Sequence, residues 1–354
     1  MLGQRTFFIS LLCFLTAAAM AQAQTSRAAS AASYLERGNS WMEKGELDRA
    51  IADYNLAIAF DSRVAVAYYN RGLARQRKGD LTGAVGDYDR AIEMNSRYLD
   101  AYLNRGAIRY GQGQYEAAIN DFSRVIEINP HDARAWTNRG IARGDLGDIT
   151  SAIADYDQAI KLNARNVVAW NNRCGLRYRQ GALDAAIADC NRAIKLDARI
   201  ADAWGNRGLA RQEKGELDSA LSDFNRAIAL DPQRADFYSH RGRAWLWKDE
   251  IERALNDLNH ALTLNPKLAE AWNHRGVAWF AKQDYERAAA DYDQALKLNP
   301  RLADVYVNRG LARLMQGRLA EAEADFARCR ELGGTIKPEA ERLLREARGR
   351  RAPR

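Results

Sequence analysis

The sequence predicts an all-α solenoid of nine helical hairpins, each 34 residues long. Arginine recurs every 34 residues from Arg37 to Arg309 without a single insertion. Glycine follows that arginine in eight of the nine repeats, and Cys174 takes its place in the fifth. A fixed period of this length is typical of architectures in which each repeat stacks on the next. We expect the repeats to fill residues 31–336, with starts at 31, 65, 99, 133, 167, 201, 235, 269 and 303.

Composition supports a folded helical protein and limits the partners. The 354 residues are 47% hydrophobic and 28% charged, with only 6 prolines. The formal net charge is +7, but residues 337–354 hold seven Lys or Arg against three Glu, so the body of the chain is nearly neutral. Without a basic stripe along the fold, we expect no nucleic-acid partner. The basic tail, 351–354, would either touch an anionic envelope surface or be a solvated terminus.

Residues 1–23 predict a secretory signal peptide. Arg5 supplies a positive start, residues 6–19 are mostly apolar, and A-x-A cleavage patterns end at residues 21 and 23. We therefore expect an exported protein, periplasmic or secreted, whose mature chain has no membrane span. A lipidated Cys13 and an uncleaved anchor are the alternatives. A linker, 24–30, would join the signal peptide to the first repeat.

Each repeat predicts two antiparallel helices that fold about a glycine at position 15, counting from the first residue of the repeat. Position 4 is always Tyr or Trp, position 8 is small, position 20 is always Ala, and position 24 is large except at Cys190. Positions 4 and 8 share one helical face, and positions 20, 24 and 27 share another. Folding at position 15 brings position 8 opposite position 24, so the helices approach closely. Residues 337–350, with Leu343, Leu344 and Ala347 on one face, predict a helix that caps the last hairpin.

These positions resemble the tetratricopeptide repeat family, whose signature is an aromatic at 4, Gly at 8, Ala at 20, an aromatic at 24, Ala at 27 and Pro at 32. The resemblance implies a right-handed superhelical solenoid in which the first helices line a concave groove. Two positions depart from the family. Position 7, commonly Leu, is Arg in every repeat. Position 11, commonly Tyr, is Arg in six repeats and Trp at Trp41, Trp245 and Trp279.

The constant Arg at position 7 and the constant Asp at position 23 predict structural ion pairs. The two positions lie at similar heights in the hairpin, which favours a bidentate bridge that fixes the register of the repeats. The alternative pairs each Asp with a basic residue at position 26 of its own helix. Representative predicted pairs are Arg71–Asp87, Arg139–Asp155 and Arg207–Asp223.

Position 6 of the first helix is the main candidate for ligand binding. The tetratricopeptide arm of O-GlcNAc transferases carries an Asn ladder at this position, and the resemblance implies that the ladder grips an extended peptide backbone. An amide can donate to C=O and accept from N–H, which suits that role. The alternatives are a solvated polar face or a ladder within the solenoid. The residues are Asn70, Asn104, Asn138, Asn172, Asn206 and Asn308, with His240 and His274 in repeats seven and eight.

Groove positions beside the ladder would set selectivity, because aromatic groups in a groove make pockets for side chains. They are Tyr69, Tyr110, Tyr178, Trp247 and Phe280.

The cysteines predict a candidate disulfide. Cys174 and Cys190 occupy the facing positions 8 and 24 of the fifth hairpin, and export would place them in an oxidising compartment. Two buried core thiols are the alternative. Cys329 replaces a core Ala and is expected to be buried. We expect no metal site and no cofactor, since His240 and His274 lack a third ligand.

These patterns predict a non-catalytic protein–protein interaction scaffold that binds an extended peptide or a partner protein in its groove, in the cell envelope. Few residues remain outside the signal peptide, repeats and cap, and no nucleotide-binding or hydrolase motif is present. The alternatives are a module that binds glycan or envelope polymer and an accessory subunit of an envelope enzyme.

Overall fold

The computed structural model describes the backbone of residues 2–351 and the side chains of residues 20–348. This part of the chain contains helices and no strand, which confirms the predicted all-α solenoid of hairpins. Helix α1, Leu2–Glu43, runs without a break through the predicted linker 24–30. The predicted signal peptide, with Cys13, and the tail 351–354 fall largely outside the described side chains. No helix in the part that the structure describes is long and apolar enough to cross a bilayer.

The chain forms two compact units, Met1–Asn166 and Val167–Arg354. Odd-numbered helices up to α17 are the first helices of successive hairpins, and even-numbered helices up to α18 are the second. The first unit contains α1, α2 (Leu47–Phe60), α3 (Ala65–Arg77), α4 (Leu81–Met94), α5 (Leu99–Gly111), α6 (Tyr115–Ile128), α7 (Ala133–Leu146) and α8 (Ile149–Leu162). The second contains α9 (Val167–Arg179), α10 (Leu183–Leu196), α11 (Ala201–Glu213), α12 (Leu217–Leu230), α13 (Ala235–Trp247), α14 (Ile251–Leu264), α15 (Ala269–Ala281), α16 (Tyr285–Leu298), α17 (Ala303–Met315), α18 (Leu319–Glu331) and α19 (Pro338–Arg351).

In the eight hairpins with glycine at position 8, the helices are packed too tightly for a side chain there. A Cβ added to Gly140 would lie 2.8 Å from Cε1 of Tyr156, and one added to Gly208 would lie 2.6 Å from Cε1 of Phe224. The alanine at position 20 is fully buried in every repeat. Small residues on one helix thus accept large rings from the other, as close packing of two helices requires.

The loop between hairpins has its polar groups satisfied locally. An Asx residue at position 31 accepts from the backbone N–H two residues later, as Asn129 does from His131 at 3.2 Å. The aromatic at position 4 then closes the loop, because Trp136 Nε1 donates to the carbonyl of Pro130 at 2.9 Å. Trp272 makes the same bond to the carbonyl of Pro266. In these repeats the position 4 aromatic therefore also joins the first helix to the preceding loop.

The stacking of hairpins within each unit defines an inner surface. First helices of neighbouring hairpins contact one another at α1–α3 and α5–α7 in the first unit, and from α9 to α17 in the second. Second helices of neighbouring hairpins make no comparable contact among the described residues. The first helices therefore lie closer together and line the inner side. Helix α19 contacts both α17 and α18 and buries Ala340 and Leu344 against the last hairpin.

Position 15 requires a left-handed backbone at the turn of the hairpin. Seven glycines there have φ between 75° and 94°, which costs glycine little. Repeats seven and eight break the pattern, because Asp249 has φ 61° and Gln283 has φ 60°. A residue with a Cβ is strained in this region. Asp249 and Gln283 are the non-glycine residues with positive φ in the described chain, so we expect backbone strain at these two turns.

We expect Asp249→Gly to raise the free energy of unfolding by about 1 kcal/mol, since it removes the strain of a left-handed aspartate. Urea denaturation followed by circular dichroism measures the change. Lys248→Gly is the matched control, because Lys248 has φ −93° and gains nothing from glycine. An unchanged or lower midpoint for Asp249→Gly would show that the turn is not strained.

Candidate functional site

Each arginine at position 7 holds the aspartate at position 23 of its own hairpin with two hydrogen bonds. Arg139 donates from Nε to Asp155 Oδ2 at 3.0 Å and from Nη2 to Oδ1 at 2.7 Å. Asp155 is 1% exposed. The same pairing occurs at Arg37–Asp53, Arg71–Asp87, Arg105–Asp121, Arg173–Asp189, Arg207–Asp223, Arg241–Asp257, Arg275–Asp291 and Arg309–Asp325.

The same guanidinium also reaches the preceding repeat. Arg207 Nη1 donates to Asn191 Oδ1 at 2.6 Å, and Arg139 Nη1 donates to Ser123 Oγ at 3.0 Å. Both acceptors are at position 25, which our sequence interpretation did not consider. Further pairs of this kind are Arg71–Asn55, Arg105–Asp89, Arg241–Asn225, Arg275–Asn259 and Arg309–Asp293. One side chain thus joins three helices, and we call this arrangement the arginine clamp.

An aromatic face completes the clamp. The Arg207 guanidinium carbon lies 4.6 Å from the ring centre of Trp204, three residues earlier at position 4. The distance from Arg139 to Trp136 is 4.8 Å. A cation over an aromatic face is attracted by the ring's quadrupole. Trp136 at position 4 therefore contacts both the preceding loop and the clamp arginine.

The buried aspartate has a second partner whose identity varies between repeats. Arg143, at position 11, donates from Nη1 to Asp155 Oδ2 at 2.8 Å, and six repeats have this second arginine. In the other three, position 11 is Trp and position 19 is Arg. Their guanidinium carbons lie 3.9–4.8 Å from the tryptophan ring centres in the pairs Arg49–Trp41, Arg253–Trp245 and Arg287–Trp279.

The exchange at positions 11 and 19 changes the setting of the aspartate. Asp257, in a tryptophan repeat, is 8% exposed, compared with 1% for Asp155. In the first repeat, the hydrogen bond from Arg37 and a weaker one from Trp41 hold the pKa of Asp53 below its ordinary value. Position 19 is basic only where position 11 is Trp. The sequence therefore carried a signal for this exchange.

Basic residues at position 26 do not bind the buried aspartates. Arg90 donates to Glu93 at 2.6 Å, Arg124 to Glu127 at 2.8 Å, and Arg328 to Glu331 at 2.7 Å. These pairs lie on the exposed side of the second helix. The geometry thus favours the pairing of positions 7 and 23 over the alternative.

We expect Asp155→Ala to lower the free energy of unfolding by about 3 kcal/mol, because it leaves Arg139 and Arg143 without their buried partner. Asp184→Ala is the matched control, since Asp184 pairs with Lys214 at 2.6 Å with its side chain 88% exposed. That exposed pair should contribute under about 1 kcal/mol. Chemical denaturation of both variants makes the comparison. Equal effects would mean that the clamp stabilises no more than a surface pair.

A disulfide replaces the ring at the waist of the fifth hairpin. Cys174 and Cys190 are joined and fully buried, with Cα atoms 5.5 Å apart. They occupy the positions that hold glycine and a large residue in the other eight repeats. Cys329 is free and buried, and burial raises the pKa of its thiol. The fifth repeat is thus held by a covalent bond where its neighbours rely on packing.

Reduction should lower the stability of the second unit by about 3 kcal/mol, as expected for a bond that closes a loop of this length. Thermal melts with and without reductant measure the loss. The double variant Cys174→Gly with Cys190→Tyr restores the pattern of the other repeats, so its melt should not respond to reductant. A wild-type melting temperature that does not change with reductant would show that the disulfide is absent or contributes no stability.

Position 6 side chains form hydrogen bonds from one first helix to the next. Asn104 Nδ2 donates to Tyr69 Oη at 3.1 Å, and Asn308 Nδ2 donates to Asn273 Oδ1 at 3.1 Å. These acceptors are at position 5 of the preceding repeat. Similar contacts are Asn206–Asn171 at 3.4 Å, His274–Ser239 at 3.2 Å and, with an acceptor at position 9, Asn70–Asn39 at 2.8 Å. The ladder thus runs along the inner surface of each unit.

Three predicted ladder positions differ from this pattern. Asn138 and His240 follow repeats with Leu103 and Gly205 at position 5, and neither offers a side-chain acceptor. Asn172 accepts from the residue before it at 3.3 Å. All three side chains are half-buried. Most ladder contacts therefore use an acceptor at position 5 of the preceding repeat, which the constant position 6 does not reveal.

The predicted selectivity residues have different surroundings. Tyr69 packs its ring on Tyr98 at 4.8 Å. Tyr110 donates to Asp145 at 2.5 Å, and this bond raises the pKa of Tyr110 to about 12. Trp247 is 49% exposed.

Phe280 packs edge-on against Tyr285, with ring centres 5.2 Å apart. Tyr178 lines a cavity in the second unit. Trp247 is therefore the most open of the five aromatic side chains.

The cavity beside Tyr178 has a volume of about 520 Å³ and lies on the inner surface of the second unit. His240 and His274 line it, and burial holds the pKa of both imidazoles well below the ordinary value, so they are neutral at pH 7. Arg243 and Leu209 line it as well. Among the described side chains, no group of three His, Cys, Asp or Glu is placed to hold a metal ion.

Comparison with known families matches these features. Tetratricopeptide repeat descriptions match residues 65–98, 99–132, 137–203 and 201–234, and the description TPR repeat matches 38–79 and 276–317. The chain belongs to the tetratricopeptide repeat family. The protein prenyltransferase alpha subunit repeat matches residues 251–281. Membership of the tetratricopeptide family supports a role as a protein–protein interaction scaffold.

Solved structures show the same fold in distant proteins. The crystal structure of the APC/C hetero-tetramer Cut9–Hcn1 is similar with a TM-score of 0.62 and 17% identity, over 90% of this chain and 76% of that one. PilF of Pseudomonas aeruginosa is similar with a TM-score of 0.51 and 18% identity, over 58% of this chain and 94% of that one. No curated protein matches this tetratricopeptide chain.

Proposed function

We propose that this tetratricopeptide protein is a non-catalytic scaffold that binds an extended peptide, or an extended segment of a partner protein, along the inner surface of its first helices. The observation that carries this proposal is the hydrogen-bonded ladder at position 6. Within each unit, its members lie on successive first helices and carry their polar groups on the inner surface. Extended peptides bind by this kind of repeated backbone contact.

The contacts within the ladder fix the orientation of the amides and leave hydrogen-bonding groups available for a ligand. Asn104 and Asn308 each donate one N–H to a side chain of the preceding repeat. Each amide has two N–H groups and an acceptor oxygen, so each retains a donor and an acceptor. A peptide backbone needs one of each. The ladder fixes the side-chain rotamers in advance, and this lowers the entropy lost on binding.

Two features support the other parts of the proposal. Membership of the tetratricopeptide repeat family favours binding over catalysis. The signal-like residues 1–23 support export to the cell envelope. Within that compartment the scaffold would hold one protein segment next to another.

Binding of the full chain to an array of ten-residue peptides and to a glycan array tests the proposal. We expect peptides to bind, and Asn206→Ala with Asn308→Ala to weaken the best of them about tenfold, because each lost amide removes hydrogen bonds to the backbone. Asn256→Ala on the exposed face of α14 is the matched control and should bind like wild type. Glycan binding without peptide binding would identify a glycan module instead.

A further inference from the structure

Position 9 of the seventh repeat differs from every other groove position of its kind. Arg243 occupies it, whereas the other repeats have Asn39, Leu73, Ala107, Ile141, Gly175, Leu209, Val277 and Leu311. Position 9 otherwise carries no charge. A guanidinium at a position that is uncharged in the other repeats needs hydrogen-bond acceptors if it is to be buried.

The contacts of Arg243 within the chain leave part of its guanidinium unused. Its Nη2 donates to Gln212 Oε1 at 3.3 Å and to Glu213 Oε1 at 3.1 Å. The guanidinium carbon lies 5.7 Å from the ring centre of Trp247. None of these contacts uses the Nε donor of Arg243.

Two buried donors beside this guanidinium have no acceptor among the described residues. They are Arg243 Nε and Gln212 Nε2, and Gln212 is fully buried. Buried N–H groups almost always have a hydrogen-bond partner. Both groups can only donate, so what the cluster lacks is an acceptor oxygen. Of the two residues, Arg243 lines the adjoining cavity, where a ligand could supply that oxygen.

The cavity beside Arg243 fits a short acidic side chain. It is lined by apolar Leu209, Leu302 and Val305, and by the neutral imidazoles of His240 and His274. Ser239 Oγ lies 3.2 Å from Nδ1 of His274, so the ring can donate from Nε2 when Nδ1 accepts. A planar carboxylate can accept two parallel hydrogen bonds from the fork of a guanidinium.

The charges at the rim restrict the ligand further. Glu270 and Asp304 line the same cavity, opposed by Arg301 as well as Arg243. Glu213 already shares Arg243. These three acids would repel a ligand that carries several negative charges, whereas a single carboxylate can accept from the unused Nε of Arg243.

We infer that the groove of the second unit selects a peptide with a single Asp or Glu flanked by apolar residues, and that Arg243 binds its carboxylate. This inference rests on the proposed function, because the same inner surface holds the peptide backbone. It assigns Arg243 as the residue that determines specificity.

The test uses the full chain and two fluorescein-labelled libraries of ten-residue peptides built from Ala, Leu and Ser with one central Glu or one central Gln. Fluorescence anisotropy should show the Glu library binding about tenfold more tightly than the Gln library, as a charge-assisted hydrogen bond provides. Arg243→Leu, which copies position 9 of the sixth repeat, should remove that preference. Arg199→Leu, at a side chain that is 86% exposed, is the matched control and should keep the preference.

The outcomes separate this inference from the proposed function. Equal binding of the two libraries to wild type overturns the inference and leaves peptide binding intact. A preference that survives Arg243→Leu also overturns it, because the carboxylate then binds elsewhere. If neither library binds, both the inference and the proposed function fail. Arg243→Gln, which keeps a donor without the charge, should also lose the preference, and a thermal melt verifies that each variant is folded.

Discussion

The arginine clamp is the interaction on which the rest of the fold depends. Its guanidinium sits where two hairpins meet and satisfies a buried aspartate, an acceptor on the preceding hairpin and an aromatic face at once. A buried charge is tolerated only when its hydrogen bonds are complete. Within each compact unit, the clamp therefore fixes how each hairpin is placed on the one before it. Apolar packing alone would allow neighbouring hairpins to slide.

This division of labour leaves the inner surface free for function. Register is held by positions 4, 7, 23 and 25, and close approach by positions 8, 20 and 24. Positions 5, 6, 9 and 12 of the first helix lie outside this set of nearly constant positions. They can therefore differ between repeats, as Asn206, His240 and Arg243 do, without loss of the fold. A nearly uniform framework thus carries a varied surface, which is what a scaffold that reads an extended segment requires.

Contacts between positions of constant residue type could be predicted from the sequence. Contacts with positions that share only a hydrogen-bond acceptor could not. The pairing of Arg139 with Asp155 could be inferred because both types recur at a fixed spacing. The contact with position 25 was missed, since Asn, Asp and Ser share an acceptor oxygen but no identity. Partners of the ladder at position 5 escaped for the same reason, because Tyr69, Ser239 and Asn273 look unrelated. The missing acceptor for Nε of Arg243 could not be predicted either, because it depends on distances that no spacing rule provides.

A double-mutant cycle between Arg207 and Asn191 tests the central claim most directly. The two residues belong to neighbouring hairpins and meet through a single hydrogen bond of 2.6 Å. Unfolding free energies of Arg207→Ala, Asn191→Ala and the double variant isolate that bond from the pairing with Asp223. The clamp predicts a coupling free energy of about 1 kcal/mol. A coupling of zero would show that the arginine stabilises its own hairpin only and does not join it to the one before.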